Sequence, residues 1–301
     1  MRITHRQMTR SLLHNIQTNL AQMGRLQHQL SSGKVISRPS DDPVKVARVM
    51  GQNTHLARID QYQKNIDAST SWMQLTEESM DRMGDVLQRA RELALAGATS
   101  TLSASAREAL ALELNGLTST LVQIGNSTYE GRYVFGGHQT MSPPFDRDME
   151  RLEEGLDASV AYSGDSGKIR WEISPGVKVT GNITGEELFL ETDLFAVLDG
   201  LTNALRKEEL DQIQTGIEQV TTGLDHLLDK RASLGAVSQG LNLMSEKYED
   251  EKLNFKELRS KLEDIDFAKT YMNYAVLENI YRASISMGAR IIQPSLLDFL
   301  R

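Results

Sequence analysis

The 301-residue chain contains no cysteine, which excludes disulfides, thiolate nucleophiles and cysteine-ligated metals. It holds only 6 prolines. Proline breaks helix interiors by removing a donor and clashing with the preceding turn, so its scarcity leaves room for long uninterrupted helices. Aromatic residues make up 6% and hydrophobic residues 40%, too few for a large aromatic-filled core. No apolar run approaches the length of about 18 residues needed to cross a bilayer, so no membrane insertion is expected. Residues 1–10 lack the apolar stretch of a secretory signal, so no cleaved signal peptide is expected. Acid is missing from residues 1–40, where Arg2, Arg6, Arg10, Arg25, Lys34 and Arg38 stand alone. Residues 267–301 are also basic on balance, so the acid excess behind the net charge of −8 lies in 41–266. Two ends of like charge flanking an acidic middle point to a shared role for the ends.

The strongest positive signal is heptad spacing. From Ile59, steps of three and four lead through Tyr62, Ile66, Ser69, Met73, Thr76, Met80, Met83 and Leu87 to Ala90 and Ala94. Such a row keeps one stripe against a partner helix. Asp42 and Pro43 predict the start: Asp accepts from free first-turn amides, and proline is preset for the first helical position. Gly97 predicts the stop. A helix over 43–96 would be about 80 Å long at about 1.5 Å per residue. The spacing of Ser105 and Glu108 predicts a capping box opening a second helix, with Leu110, Leu114, Leu117, Leu121 and Ile124 on its seam.

The pattern changes after residue 128. Ile169, Trp171 and Ile173 alternate with polar residues, Ser174–Gly176 turns the chain, and Val177 and Val179 alternate again, which predicts a β-hairpin. Helix is expected to return near Asp193, with Ile213, Ile217, Val220, Leu224 and Leu227 on its seam. At the ends, Leu13, Ile16, Leu20, Met23 and Leu30 form one stripe; Leu277, Ile280, Met287 and Ile291 form another, followed by an apolar tail of Leu296, Leu297, Phe299 and Leu300.

The chain thus goes out through helices, makes a β excursion and returns. The expected fold is mainly α with a small β-rich insert: an elongated, antiparallel, coiled-coil-like rod whose N- and C-terminal helices pair at one end. The expected division is residues 1–40 with 265–301 as terminal assembly helices, 41–138 with 193–264 as the rod, and 139–192 as a β-rich outer domain. The rod core is expected at Ile59, Ile66, Met73, Met80, Leu87, Leu114, Leu121, Ile217 and Leu224. Amphipathic helices need their stripe covered, so the terminal stripes, tail included, are read as an assembly interface.

No catalytic, cofactor or metal site is expected. Gly164-Asp165-Ser166-Gly167 matches the tetrapeptide around serine-protease nucleophiles, but a triad needs a histidine within reach of the serine, and the sequence places none there; a glycine-rich turn is the expected reading. The six histidines show no i, i+4 pair. The basic N-terminus has few aromatics and widely separated charges, so nucleic acid is not an expected partner.

Several motifs resemble those of a known family. The run from Ser31 to Pro43 (SSGKVISRPSDDP) is similar to the N-terminal signature of flagellins and hook-associated proteins, and its Pro39–Pro43 form resembles the hook-associated members more than filament flagellins. Gly131–Gly137, Arg231–Ala236 and Ser260–Asp266 also look like motifs of the flagellin family. The resemblance implies a structural subunit of the bacterial flagellum, forming a ring of copies at the junction of hook and filament. Its neighbours would be hook-associated protein 1 and flagellin. It also implies an extracellular location, reached by unfolded export through the flagellar type III apparatus with an export chaperone. A short filament flagellin is the nearest alternative; a cytosolic coiled-coil adaptor is the alternative of another class.

Overall fold

A computed structural model describes residues 5–36, 38–99, 102–147 and 160–292. The chain is mainly helical, with three small antiparallel strand pairs among the described residues. The helices are α1 (His5–Ser32), α2 (Pro43–Gly97), α3 (Ala104–Gly125), α4 (Leu194–Lys207), α5 (Leu210–Glu263) and α6 (Phe267–Ile292). The strands are β1 (Thr128–Tyr129), β2 (Arg132–Tyr133), β3 (Phe145–Arg147), β4 (Val160–Tyr162), β5 (Arg170–Ser174) and β6 (Val177–Thr180). The chain gathers into two compact units: Met1–Ile59 with Asp250–Arg301, and Asp60–Glu249. The division falls inside α2 and inside α5, and the β strands belong to the second unit.

In the first unit, α2 opens at Asp42 and Pro43, where Asp42 Oδ1 accepts from the Lys45 N–H at 3.0 Å. This satisfies one of the amides that a helix start leaves free. The links α1–α2 and α5–α6 meet: Val35 N–H donates to Glu263 O (2.7 Å), Ile265 N–H donates to Gly33 O (3.1 Å), and Lys34 pairs with Glu263. Ile36 is buried beside this bridge.

In the second unit, the α2 row runs through Ile66, Met73, Met80 and Leu87 to Ala94, all buried, and Ser69 and Thr76 are buried with it. A second row, Trp72, Ser79, Val86 and Leu93, is buried as well, so α2 has neighbours on two sides here. Leu114 and Leu121 of α3 are fully buried. The cap of α3 lies two residues before the expected box: Ser103 Oγ accepts from the Ala106 N–H at 3.3 Å. The expected single returning helix is two, because Glu208 takes a left-handed conformation (φ 61°) and closes α4 on the Ala204 carbonyl. On α5 the buried row is Ile213, Val220, Leu227, Leu234, Leu241 and Tyr248, while Ile217 and Leu224 are half-buried. Gly216 and Gly223 sit deeper than either. A Cβ at Gly216 would lie 2.4 Å from Leu201 Cδ2, and one at Gly223 the same distance from Leu194 Cδ2, so these glycines let α4 close on α5.

The β-bearing segment packs on the helices through aromatics. Phe145 lies 4.7 Å from Phe189, 5.4 Å from Phe195 and 5.1 Å from Tyr162, centroid to centroid. Asn126 holds its backbone like a strand partner, accepting from Phe145 N–H at 3.0 Å and donating to Phe145 O at 2.7 Å. Gly125 and Gly185 flank the ring, where a Cβ at either would come within 2.7 Å of it. Phe189 lies on a single wide helical turn, Glu186–Leu190. The hairpin β5–β6 forms with Trp171 opposite Val179 and Gly176 at φ 74° in its turn. It is tied to α2 by Asn65 Nδ2 donating to Glu172 O (2.7 Å) and to α5 by Tyr248 O–H donating to Ile173 O (2.7 Å). Phe145→Ala is expected to cost about 3–5 kcal/mol, read as a lower midpoint of denaturant unfolding with the slope unchanged.

Candidate assembly interface

The first unit carries the longest stretch of uncovered apolar side chain. Helix α1 packs antiparallel on α6. The face of α1 turned inward is Leu12, Ile16, Asn19, Met23, Leu26 and Leu30, all half-buried. The matching face of α6 is Thr270, Tyr274, Leu277, Tyr281 and Ser284, ending at buried Gly288. A Cβ on Gly288 would lie 2.7 Å from Leu12 Cδ2, so the missing side chain is what admits Leu12. The stripes read from the sequence therefore divide. Ile16, Met23, Leu30 and Leu277 lie within the pair. Leu13 and Leu20 (both 53% exposed), Ile280 (44%) and Met287 (62%) point away from it. Ile291 lies in the last turn of α6, and Leu296, Leu297, Phe299 and Leu300 lie outside the described residues.

The outward faces hold more than the heptad count finds. Met8 on α1, and Phe267, Tyr271, Met272, Val276 and Ile285 on α6, are exposed too. A helix apolar on nearly every side is normally buried on nearly every side, and an exposed apolar patch of this extent marks an interaction surface. The signal was available in composition: Phe267–Ile292 carries only Lys269, Glu278, Arg282 and Arg290 as charges. One of its outward charges is already matched within the helix, since Arg282 donates to Glu278 at 2.5 Å.

The other sequence candidates are structural. Asp165 Oδ1 accepts from the backbone N–H of His138 (2.6 Å) and of Gly167 (2.9 Å), and these bonds hold its carboxyl below the usual carboxylate range. The structure does bring a histidine to this loop, with the His138 ring close against Gly167. But the aspartate pins two backbone segments instead of orienting that ring, so the arrangement is a turn and not a relay. Tyr162 O–H closes it onto Phe135 O (3.1 Å) and Asp165 O (3.2 Å). Arg231 joins α5 to α2 through Glu77 (2.5 Å) and Asp81 (2.9 Å), and the hydrogen bond to Glu77 raises its pKa. No cluster of metal-ligating side chains occurs among the described residues. No described helix is long and apolar enough to cross a membrane.

The terminal helices are also where the chain matches known proteins. Residues 3–140 match the bacterial flagellin N-terminal helical region, and residues 215–300 match the C-terminal helical region. The chain belongs to the flagellin family. It is 27% identical to flagellar hook-associated protein 3 of Salmonella typhimurium over 94% of its own length and 95% of the relative's. It is 24% identical to a flagellin of Halalkalibacterium halodurans, over the full length of both. Its fold matches a flagellar hook-associated protein of Vibrio parahaemolyticus with a TM-score of 0.65 and 20% identity, covering 74% of this chain and all of that one. As a member of this family the chain is a structural component of the extracellular bacterial flagellum, assembled with other flagellar components. The close approach of α1 and α6 is testable by filling it. Gly288→Val should wedge α1 from α6 at a cost of about 1–3 kcal/mol, seen as faster amide exchange in both helices with the second unit unchanged.

Proposed function

We propose that the chain is the subunit of a ring that joins hook to filament. The observation that carries this is the doubly apolar α6: one face is covered by α1, and the other, from Phe267 to Met287, has no cover among the described residues. A subunit that completes its core only on meeting copies of itself behaves in this way. The higher identity to a hook-associated protein, 27% against 24% for the flagellin, supports the junction over the filament. In this reading residues 1–40 and 265–301 line the inner tube, 41–138 with 193–264 form the rod, and 139–192 face outward. The neighbours are hook-associated protein 1 on one side and flagellin on the other. The chain leaves the cell unfolded through the flagellar type III apparatus, held beforehand by an export chaperone; with no cysteine, no disulfide can obstruct that passage. The role is structural, and the chain's conspicuous polar groups Asp165 and Arg231 pin turns and helices.

A second reading, a short filament flagellin, is favoured by the end-to-end similarity to the H. halodurans flagellin. Gene deletion separates the two. Loss of the junction subunit leaves hooks without filaments and flagellin monomers in the medium, whereas normal filaments in the deletion strain would rule the junction out. Within the interface, Leu20→Asp or Ile280→Asp should abolish assembly while the isolated chain keeps its helical circular dichroism, because both side chains already face solvent. Undiminished assembly by either variant would refute the outward face as the contact surface.

A further inference from the structure

The methionines of the chain divide by burial. Met73, Met80 and Met83 of α2 are at most 1% exposed, inside the second unit. Met272 and Met287 of α6 are 61% and 62% exposed. At about 100° per residue, Met272, Val276, Ile280 and Met287 fall within about 80° of one another around the helix, so they form one stripe. All four are exposed, and none belongs to the half-buried row of Tyr274, Leu277 and Tyr281 that faces α1. Met8, Met50 and Met141 are exposed as well, on other segments of the chain.

A thioether is apolar enough to pack in an interface, yet it oxidises readily to a polar sulfoxide. We propose that Met272 and Met287 are oxidation sites that gate assembly: sulfoxides on the stripe exclude a subunit from contact with a second copy, and their reduction readmits it. The oxidant is of the peroxide class. A sulfur lone pair attacks one peroxide oxygen, and the S–O bond forms as the O–O bond breaks. Sulfur gives up two electrons, and the leaving hydroxide takes the proton shed by the new S–OH group to give water. The sulfoxide carries a strong S–O dipole, and burying it against apolar side chains without a donor opposes the contact. The fold is spared, because the methionines of the second unit's core are out of reach of solvent. The inference rests on the reading of the outward face of α6 as the contact surface and adds a chemical control to it.

The test uses purified full-length chain, untreated or treated with dilute hydrogen peroxide and then freed of it. Each sample is added to cells that lack the gene and carry bare hooks, and incorporation is counted by immunolabelling. Peptide mass spectrometry is expected to find one added oxygen on Met272 and on Met287, and none on Met73, Met80 or Met83. Incorporation of the oxidised chain should fall at least about tenfold. It should recover after treatment with both methionine sulfoxide reductases, one for each sulfoxide epimer. M272L/M287L should incorporate equally before and after peroxide, although Met8, Met50 and Met141 are still oxidised. Leucine is a good helix former of similar size, so this variant should fold. M50L/M141L should lose incorporation as the unsubstituted chain does. Undiminished incorporation of the oxidised chain, equal loss in M272L/M287L, or protection by M50L/M141L would overturn the gate while the junction reading stands. If untreated chain is not incorporated at all, the junction reading fails and the gate with it.

Discussion

An apolar stripe on a long helix must be covered, and this chain covers its stripes in two ways. In the second unit, α2 buries two rows, tied to α3 by Arg89–Glu113 and to α5 by Arg231–Glu77, with Trp72 against Tyr129 and Trp171, and the cover is internal. In the first unit, α1 and α6 cover one row of each other and leave further apolar rows facing solvent. Isolated helices are marginal in water, and most of their stability comes from packing. The difference between the two units is thus a difference between apolar rows covered within the unit and apolar rows left in solvent among the described residues.

Close approach decides where the covered rows fall. Gly288 admits Leu12, Gly216 admits Leu201 and Gly223 admits Leu194. At each site a side chain would hold two helices apart by more than the gap allows. The short bridge between Gly33–Val35 and Glu263–Ile265 then sets which ends of α1 and α6 lie together. Two of the runs that resemble the flagellin family, Ser31–Pro43 and Ser260–Asp266, meet at this bridge.

Much of this was legible in the sequence. Heptad spacing located the buried row of α2 residue by residue, and Asp42 with Pro43 marked its first turn, because both signals are local and periodic. The hairpin β5–β6 followed from alternation around Ser174–Gly176. Other features were hidden. Ile217 and Leu224 looked like core positions, but Gly216 and Gly223 lie deeper, since a hydrophobic count cannot register a contact made by the absence of a side chain. Ser103 instead of Ser105 caps α3, because several hydroxyls compete within a few residues. The break at Glu208 depends on one left-handed residue with no glycine to announce it. The terminal stripes appeared as one interface and are two: Ile16 and Leu277 look inward, whereas Leu20 and Ile280 look outward.

The two hydroxyl residues on the α2 seam have a further consequence. Ser69 and Thr76 are completely buried, seven residues apart, among Ile66, Met73 and Met80. Thr76 turns its hydroxyl back to Trp72 O at 2.9 Å, while Ser69 lies against the bare backbone of Gly181, where a Cβ would come within 2.8 Å of its Oγ. A uniformly apolar seam is degenerate: it can slide by a heptad and bury almost as much. Small hydroxyl residues at two positions lower that degeneracy, since a heptad slip that brings Tyr62 to the place of Ser69 would drive its ring against Gly181. Where a uniformly apolar row would leave the alignment open, the two hydroxyl residues favour a single register of the helices.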